Sequence, residues 1–143
     1  MMPPALPARM VPVASDPQDA ERFARSLRDA EKSFSDEAQK IGIGAAFAKY
    51  GRADAVNMGG PNDPGFVIGA EAIGRSVGTG SPTDSSEVEW SADRVLVSSS
   101  ADLGITFGSI RIKKPEPGGP KAVPFFTVWR RDNSSAPWRY IAE

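Results

Sequence analysis

The run Val123-Pro-Phe-Phe-Thr-Val-Trp-Arg-Arg131, followed by Trp138-Arg-Tyr-Ile-Ala-Glu143, decides the fold class of this chain. Both segments are rich in aromatic and β-branched residues, which favour strands. The link between them, residues 132–137, is polar and rich in turn-forming residues. Two such segments joined by a short link predict an antiparallel hairpin at the end of the sequence.

Apolar side chains occur on both faces of the first of these strands. Phe125 and Thr127 point to the opposite face from Phe126 and Val128, because side chains alternate along a strand. A sheet with only one covered face would show polar residues on the other. We therefore expect helices to cover one face and a second subunit to cover the other, which predicts a homodimer formed through the sheet.

The first half of the sequence is helical in pattern. Asp16 and Pro17 are typical of a helix start, and Gly42 interrupts the helix that follows. A second helix is predicted over Ile43–Tyr50 and ends at Gly51. Spacings of three and four residues separate the apolar positions of the long helix, which are Phe23, Leu27, Ala30, Phe34, Ala38 and Ile41.

Short strands and one further helix fill the rest of the sequence. Because the helices come first and the strands follow, the sequence predicts an α+β fold in which N-terminal helices pack on an antiparallel sheet. The predicted strands span residues 53–58, 66–68, 87–90, 94–99, 103–113, 123–131 and 138–142, and the third helix spans residues 70–77.

The length and composition of the chain limit the classes of function that it can have. At 143 residues the chain fits one domain, over residues 16–143, after a proline-rich arm at residues 1–15 that is predicted to be flexible or extended. The net charge of −1 gives no attraction to nucleic acid. No apolar run approaches the roughly 18 residues that span a bilayer. We therefore predict neither nucleic-acid nor membrane partners.

The sequence contains no cysteine and no histidine. Disulfides, thiol nucleophiles and thiolate metal sites are thus excluded, and the commonest general base and transition-metal ligand is missing. We predict no metal and no cofactor, and proton transfer would have to use Asp, Glu, Lys or Tyr. The proline-rich start lacks a basic region, so we predict a cytoplasmic protein, or a periplasmic or secreted one if a signal peptide was removed.

One segment has the residue pattern of a catalytic motif but lacks the structural context that the motif needs. Gly74-Arg-Ser-Val-Gly78 has the G-x-S-x-G pattern of a nucleophile elbow. That motif needs a strand before it and a histidine to activate the serine. Neither is present, so we interpret this segment as part of the short third helix.

The order of elements resembles the nuclear transport factor 2-like superfamily, in its SnoaL-like and ketosteroid-isomerase-like branch. The resemblance covers about residues 19–143. It depends on the helices followed by Asp54-Ala-Val56, on Gly69-Ala-Glu-Ala-Ile73 at the start of a small helix, and on Thr127-Val-Trp-Arg-Arg131 with Trp138-Arg-Tyr-Ile141 in the final strands.

This resemblance implies a cone-shaped fold in which helices close over a strongly curved antiparallel (mixed) sheet around an apolar pocket, with subunits paired through their sheets. Members include isomerases, cyclases, dehydratases, epoxide hydrolases and non-catalytic binding modules, so the fold does not assign a function.

The leading hypothesis is a homodimeric module that binds a small hydrophobic ligand. The alternative is an enzyme that uses an Asp or Glu with a Tyr for proton transfer. A third is a structural domain with a filled interior.

The resemblance does not identify catalytic residues, because related enzymes use histidine or an acid placed inside the pocket. Tyr50 and Tyr140 are the two tyrosines, and most acids fall at turns or helix ends. The absence of His and Cys weighs against catalysis. Aromatic and polar residues expected toward the pocket could equally fill a core; these candidates are Tyr50, Asn57, Met58, Trp90, Phe107, Thr127, Trp129, Arg131 and Tyr140.

Overall fold

The computed structural model describes residues 17–60 and 63–143. The predicted arm at residues 1–15 and the predicted helix cap at Asp16 lie outside these residues. The described residues form three helices and six strands: α1 Pro17–Ile41, α2 Ile43–Tyr50, β1 Val56–Met58, β2 Phe66–Ile68, α3 Ala70–Gly78, β3 Val88–Val97, β4 Leu103–Ile112, β5 Ala122–Arg130 and β6 Arg139–Ala142.

Helix α1 follows the predicted apolar stripe. Leu27, Phe34 and Ala38 are buried. The charged residues of the opposite face are exposed, namely Arg25, Arg28, Asp29, Lys32 and Asp36. One side of the helix therefore contacts the sheet while the other is solvated.

Strands β3, β4, β5 and β6 form one antiparallel sheet in that order, and β1 pairs with β2 in a separate antiparallel hairpin. Asn57 in β1 accepts a hydrogen bond from the Glu143 backbone N–H, 3.2 Å away, directly after β6. An isolated parallel bridge joins Gly51 to Tyr140. This arrangement of helices on an antiparallel sheet confirms the predicted α+β class.

Strand β3 differs from the prediction of two strands over residues 87–90 and 94–99. It is a single strand, Val88–Val97, whose pairing with β4 shifts register between Ala92 and Arg94. A β-bulge absorbs one extra residue and bends the strand without ending it. The turn-forming residues in the middle of this segment therefore mark a bulge and not a break between strands.

An aromatic cluster fills the space between α1 and the sheet. It consists of Phe34, Phe47, Trp90, Trp129 and Tyr140, all of them buried. The Phe34 ring centroid lies 4.8 Å from that of Phe47 and 4.9 Å from that of Trp90, both in edge-on contacts of the kind that stabilise aromatic pairs. Much of the interior is thus occupied by the protein's own side chains.

Candidate functional site

A cavity of about 230 Å³ remains beside the aromatic cluster, and we call it the inner cavity. It lies between α2, α3 and strands β3, β4 and β5. Seven of its lining residues are apolar, and Thr127 and Glu143 are the polar ones. The lining residues are Ile43, Phe47, Val77, Val88, Trp90, Ile110, Phe125, Thr127 and Glu143.

Helical and strand periodicity explain why these residues meet. Ile43 and Phe47 are four positions apart on α2, so they share one face of the helix. Phe125 and Thr127 are two positions apart on β5, so they share one face of the sheet. Ile110 stands opposite Trp90 in the β3–β4 pairing. The two sets face each other and leave the cavity between them.

The walls formed by α2 and α3 are held together by an unusually close helix contact. A Cβ placed on Gly74 would lie 2.5 Å from the Gly44 backbone oxygen, and one placed on Gly44 would lie 2.7 Å from the Gly74 backbone oxygen. Only glycine permits this approach. The contact brings Val77 on α3 to the same cavity as Ile43 and Phe47 on α2.

Glu143 places a carboxylate on the cavity wall. Its Oε2 accepts a hydrogen bond from the Thr127 hydroxyl at 3.4 Å. Burial of the carboxylate and, less strongly, the negative charge of Glu31 together raise the pKa of Glu143 to about 8, although the hydrogen bond from the Thr127 hydroxyl lowers it. Glu143 as a whole residue is exposed, which fits a carboxylate at the mouth of the cavity better than one deep inside it.

A second carboxylate, that of Glu31, lies in the interior and is fully buried. It accepts hydrogen bonds from the Trp90 indole N–H at 3.0 Å and from the Thr106 hydroxyl at 2.6 Å. Thr106 in turn accepts one from the Trp129 indole N–H at 3.1 Å. We call these four residues the Glu31 network. Burial raises the pKa of Glu31, although the hydrogen bonds from the network lower it.

The buried position of Glu31 was not predicted, although the spacing of the sequence contains a signal for it. Glu31 lies four residues after Leu27 and three before Phe34, which places it on the apolar stripe of α1. A carboxylate on the core face of a helix requires buried donors. The sequence supplies these donors as Trp90 and Thr106.

A larger groove of about 740 Å³ lies next to the inner cavity and shares Val88 with it. We call it the outer groove. It carries two lysines and two glutamates, so it is more polar than the inner cavity. Its lining residues are Pro82, Ser85, Ser86, Glu87, Val88, Ile112, Lys113, Lys114, Glu116, Gly119 and Pro120.

The structure brings two of the nine candidate pocket residues to the inner cavity, Trp90 and Thr127. Tyr50, Trp129 and Tyr140 pack in the core. The Tyr140 hydroxyl donates to the Phe47 backbone oxygen at 2.6 Å, so its hydrogen is already used within the core.

The other four candidates, Asn57, Met58, Phe107 and Arg131, lie outside the inner cavity. Asn57 holds the backbone after β6, as described above, and Met58 is exposed on the β1–β2 hairpin. Phe107 lies on the opposite face of the sheet, with its ring 6.3 Å from that of Phe126.

Arg131 is buried outside the inner cavity. Its guanidinium carbon lies 4.2 Å from the Trp138 ring centroid and 5.5 Å from that of Phe23. Its Nε donates to the Ala101 backbone oxygen at 2.6 Å. The side chain therefore joins the start of α1 to the segment after β5.

Within residues 17–60 and 63–143, no group of three or more acidic side chains is arranged to hold a metal ion. Across the same part of the chain, none of the helices has the length and apolar character needed to cross a membrane.

Solved structures with the same arrangement of helices and sheet are similar to this chain at low identity. A ketosteroid isomerase-like protein from Erwinia carotovora atroseptica SCRI1043 is 13% identical, with a TM-score of 0.51 over 89% of this chain and 94% of that one. An NTF-2 like protein of unknown function from Shewanella oneidensis MR-1 is 12% identical, with a TM-score of 0.52 over 89% and 96%. A phenazine biosynthesis-related protein from Pseudomonas aeruginosa is 14% identical, with a TM-score of 0.51 over 87% and 80%.

The chain has the nuclear transport factor 2-like fold, and the resemblance predicted from the order of its elements is confirmed at the level of fold. No protein-family model matches the sequence, and no curated protein is significantly similar to it. At these identities the likeness establishes the fold alone, so the function has to be inferred from the site.

Proposed function

We propose that this protein is a binding module whose inner cavity takes a small hydrophobic or amphipathic molecule. The observation that carries the proposal is the cavity wall, which is apolar at seven positions and polar only at Thr127 and Glu143. Ligand sites in proteins are typically apolar concavities with a few placed polar groups. An apolar body would bury against the wall, and the two polar side chains would orient it.

The size of the cavity limits the ligand. Its 230 Å³ is below the roughly 300–1,000 Å³ of sites for drug-sized molecules, so the buried part of the ligand is about the size of a single ring. A longer ligand has room beyond Val88, where the outer groove begins. A ring or short chain inside and a polar group outside would make such a ligand amphipathic.

A titration with benzyl alcohol, followed by NMR of the ¹⁵N-labelled protein, tests this proposal. We expect the indole N–H signal of Trp90 to shift, because Trp90 lines the cavity. The Trp138 indole N–H donates to the Ser26 hydroxyl at 3.0 Å and is not on the cavity wall, so its signal should stay in place. Equal shifts at both indoles, or none at Trp90, would contradict a ligand in the inner cavity.

Filling the cavity should abolish this binding. Val77→Phe adds a ring from the α3 wall, and we expect the affinity for benzyl alcohol to fall by about tenfold or more, a loss of about 1.4 kcal/mol. Val56→Phe makes the same change on the exposed face of the β1–β2 hairpin and serves as the matched control. Isothermal calorimetry on both variants measures the difference. Unchanged affinity in Val77→Phe would place the ligand elsewhere.

Proton transfer is a second candidate, and Glu143 is the observation that favours it. A carboxyl group with a pKa raised to about 8 is suited to general acid–base chemistry near neutral pH. The tyrosine of the expected acid–tyrosine pair is missing from the cavity, because Tyr140 donates to a backbone oxygen and Tyr50 packs in the core. Thr127 is the hydroxyl beside Glu143, and binding is the better-supported function.

We also propose that the protein is a homodimer formed through the outer face of the sheet. Leu96, Leu103 and Phe126 are 55%, 43% and 55% exposed. The strand register places Ile105 and Val128 on the same face as Leu96. Exposed apolar patches of this kind mark interaction sites. A second copy of the same sheet would cover the apolar patch.

A charge at the centre of this face should separate the subunits. Phe126→Glu would place an unpaired carboxylate in the interface, which costs several kcal/mol where no partner charge is available. We expect sedimentation velocity to show a dimer for the native chain and a monomer for the variant at the same concentration. Ala45→Glu, on the exposed side of α2, is the control and should stay dimeric. A native chain that sediments as a monomer would contradict the proposal.

A further inference from the structure

Among the lining residues of the inner cavity, Glu143 has the ionisable side chain, which is negative once it loses its proton. Among the described residues, no Lys or Arg forms an ion pair with Glu143. Its carboxylate has one hydrogen bond from the protein, the long one from Thr127. A carboxylate that accepts only one long hydrogen bond can accept further hydrogen bonds from a bound molecule.

The rest of the wall also favours a positive charge over a negative one. Phe47, Trp90 and Phe125 are three aromatic residues of the cavity lining, and aromatic rings attract cations. Glu31, on the α1 side, adds a second negative charge close enough to raise the pKa of Glu143. In their ionised forms both carboxylates would repel an anionic ligand and attract a cation.

We propose that the inner cavity binds a small amine with an apolar ring or chain, and that the Glu143 carboxylate pairs with its ammonium group. The Thr127 hydroxyl oxygen lies beside the carboxylate and accepts a second N–H of the ammonium. The apolar part of the amine contacts Ile43, Val77 and Ile110. This assignment rests on the proposed binding function and specifies the class of ligand.

Binding of an amine should be coupled to proton release. Without a ligand, the pKa of Glu143 is raised to about 8 by burial and by the charge of Glu31, so the group is mostly protonated at pH 7. An ammonium ion stabilises the ionised carboxylate. The affinity should therefore increase as the pH rises from about 6 to 8, by up to about tenfold per pH unit. Tyr140 on β6 stays protonated, because burial and the charge of Glu143 raise its pKa.

Isothermal calorimetry with benzylamine, benzyl alcohol and benzoate tests the proposal, since the three share a ring and differ in charge. At pH 8 we expect benzylamine to bind at least about tenfold more tightly than benzyl alcohol, and benzoate more weakly than either. Glu143→Gln should remove the preference for benzylamine over benzyl alcohol together with its pH dependence. Glu116→Gln, in the outer groove, is the matched control and should behave like the native chain.

The outcomes separate the two proposals. If benzyl alcohol binds and the amine has no advantage, or if Glu143→Gln retains that advantage, the amine assignment is wrong while the apolar binding site stands. If benzoate binds best, the assignment is also wrong. If none of the three molecules binds, both proposals fail. The melting temperature of Glu143→Gln, measured alongside, shows whether the variant is folded.

Discussion

Replacing Glu31 by alanine is expected to lower the free energy of unfolding by about 3–5 kcal/mol. The change leaves the Trp90 indole N–H without its acceptor and leaves the Thr106 hydroxyl with only a 3.5 Å contact to the Thr127 backbone oxygen, and each buried unsatisfied donor costs about 1–3 kcal/mol. Removing the side chain also opens a cavity beside the aromatic cluster, which adds to the loss. Urea denaturation of the native chain and the variant at pH 6 measures the difference.

The effect of Glu31→Ala should depend on pH in a defined direction. Burial raises the pKa of Glu31 in the folded state above 4.5. The folded protein therefore holds this proton more tightly than the unfolded chain, and the associated stabilisation is fully present below about pH 4.5 and is lost as the pH rises through the folded pKa. The difference between the native chain and the variant should thus be largest in acid and smaller at pH 8.

Two further variants show whether the loss of stability in Glu31→Ala comes from breaking the Glu31 network or only from removing a side chain. Glu31→Gln keeps one acceptor oxygen and should lose less stability than Glu31→Ala, and it should lose the pH dependence that Glu31 contributes. Glu21→Ala removes an exposed carboxylate from the same helix, one that pairs with Arg25, and should change stability by less than about 1 kcal/mol. An equal loss in Glu31→Ala and Glu21→Ala would mean that the Glu31 network does not stabilise the fold.

Adding a single methyl group at Gly108 is expected to destabilise the sheet by about 1–3 kcal/mol, the usual effect of overpacking. A Cβ at this position would lie 1.9 Å from the Ser91 backbone oxygen and 2.9 Å from the Phe125 ring. Ser91 directly precedes the bulge between Ala92 and Arg94, so the Ser91 carbonyl is part of a paired strand and cannot simply turn away. Relief would require β3 to separate from β4.

Intrinsic strand propensity predicts that Gly108→Ala would increase the stability of the protein. Glycine in a strand interior is less favourable than alanine by roughly 0.5–1 kcal/mol, so a tolerant site would be stabilised by Gly108→Ala. Thermal unfolding of Gly108→Ala beside Ser109→Ala, whose side chain alternates to the other face, distinguishes the two cases. A higher melting temperature for Gly108→Ala would show that the close approach of β3 and β4 at the bulge is not required.

The sequence predicted the fold well where one physical rule acts alone. The apolar stripe of α1 and the alternation of Phe125, Thr127 and Trp129 on β5 follow directly from helical and strand periodicity, and both are present in the structure. The two-strand prediction for β3 was wrong, because Asp93 and its neighbours have the composition of a turn. Whether such a segment ends a strand or bulges depends on the partner strand, which local composition does not specify.

The candidate site was harder to predict, because it depends on which of many apolar side chains leaves space unfilled. Periodicity assigns Trp90 and Trp129 to the same interior, yet one lines the inner cavity and the other packs fully in the core. That difference depends on α2 and α3, which meet through Gly44 and Gly74. Glu143 was not predicted because it follows the last strand, where alternation no longer indicates a direction.

The environment of Arg131 means that it and Glu143 should respond differently to acid and salt. Among the described residues no carboxylate pairs with this guanidinium, and its contacts are with aromatic rings and a backbone oxygen, none of which titrates in the physiological range. Mobile ions also screen such buried short-range contacts weakly. Acidification near neutrality would consequently alter the charge of Glu143 on the wall of the inner cavity and leave the contacts between Arg131 and the first helix unchanged.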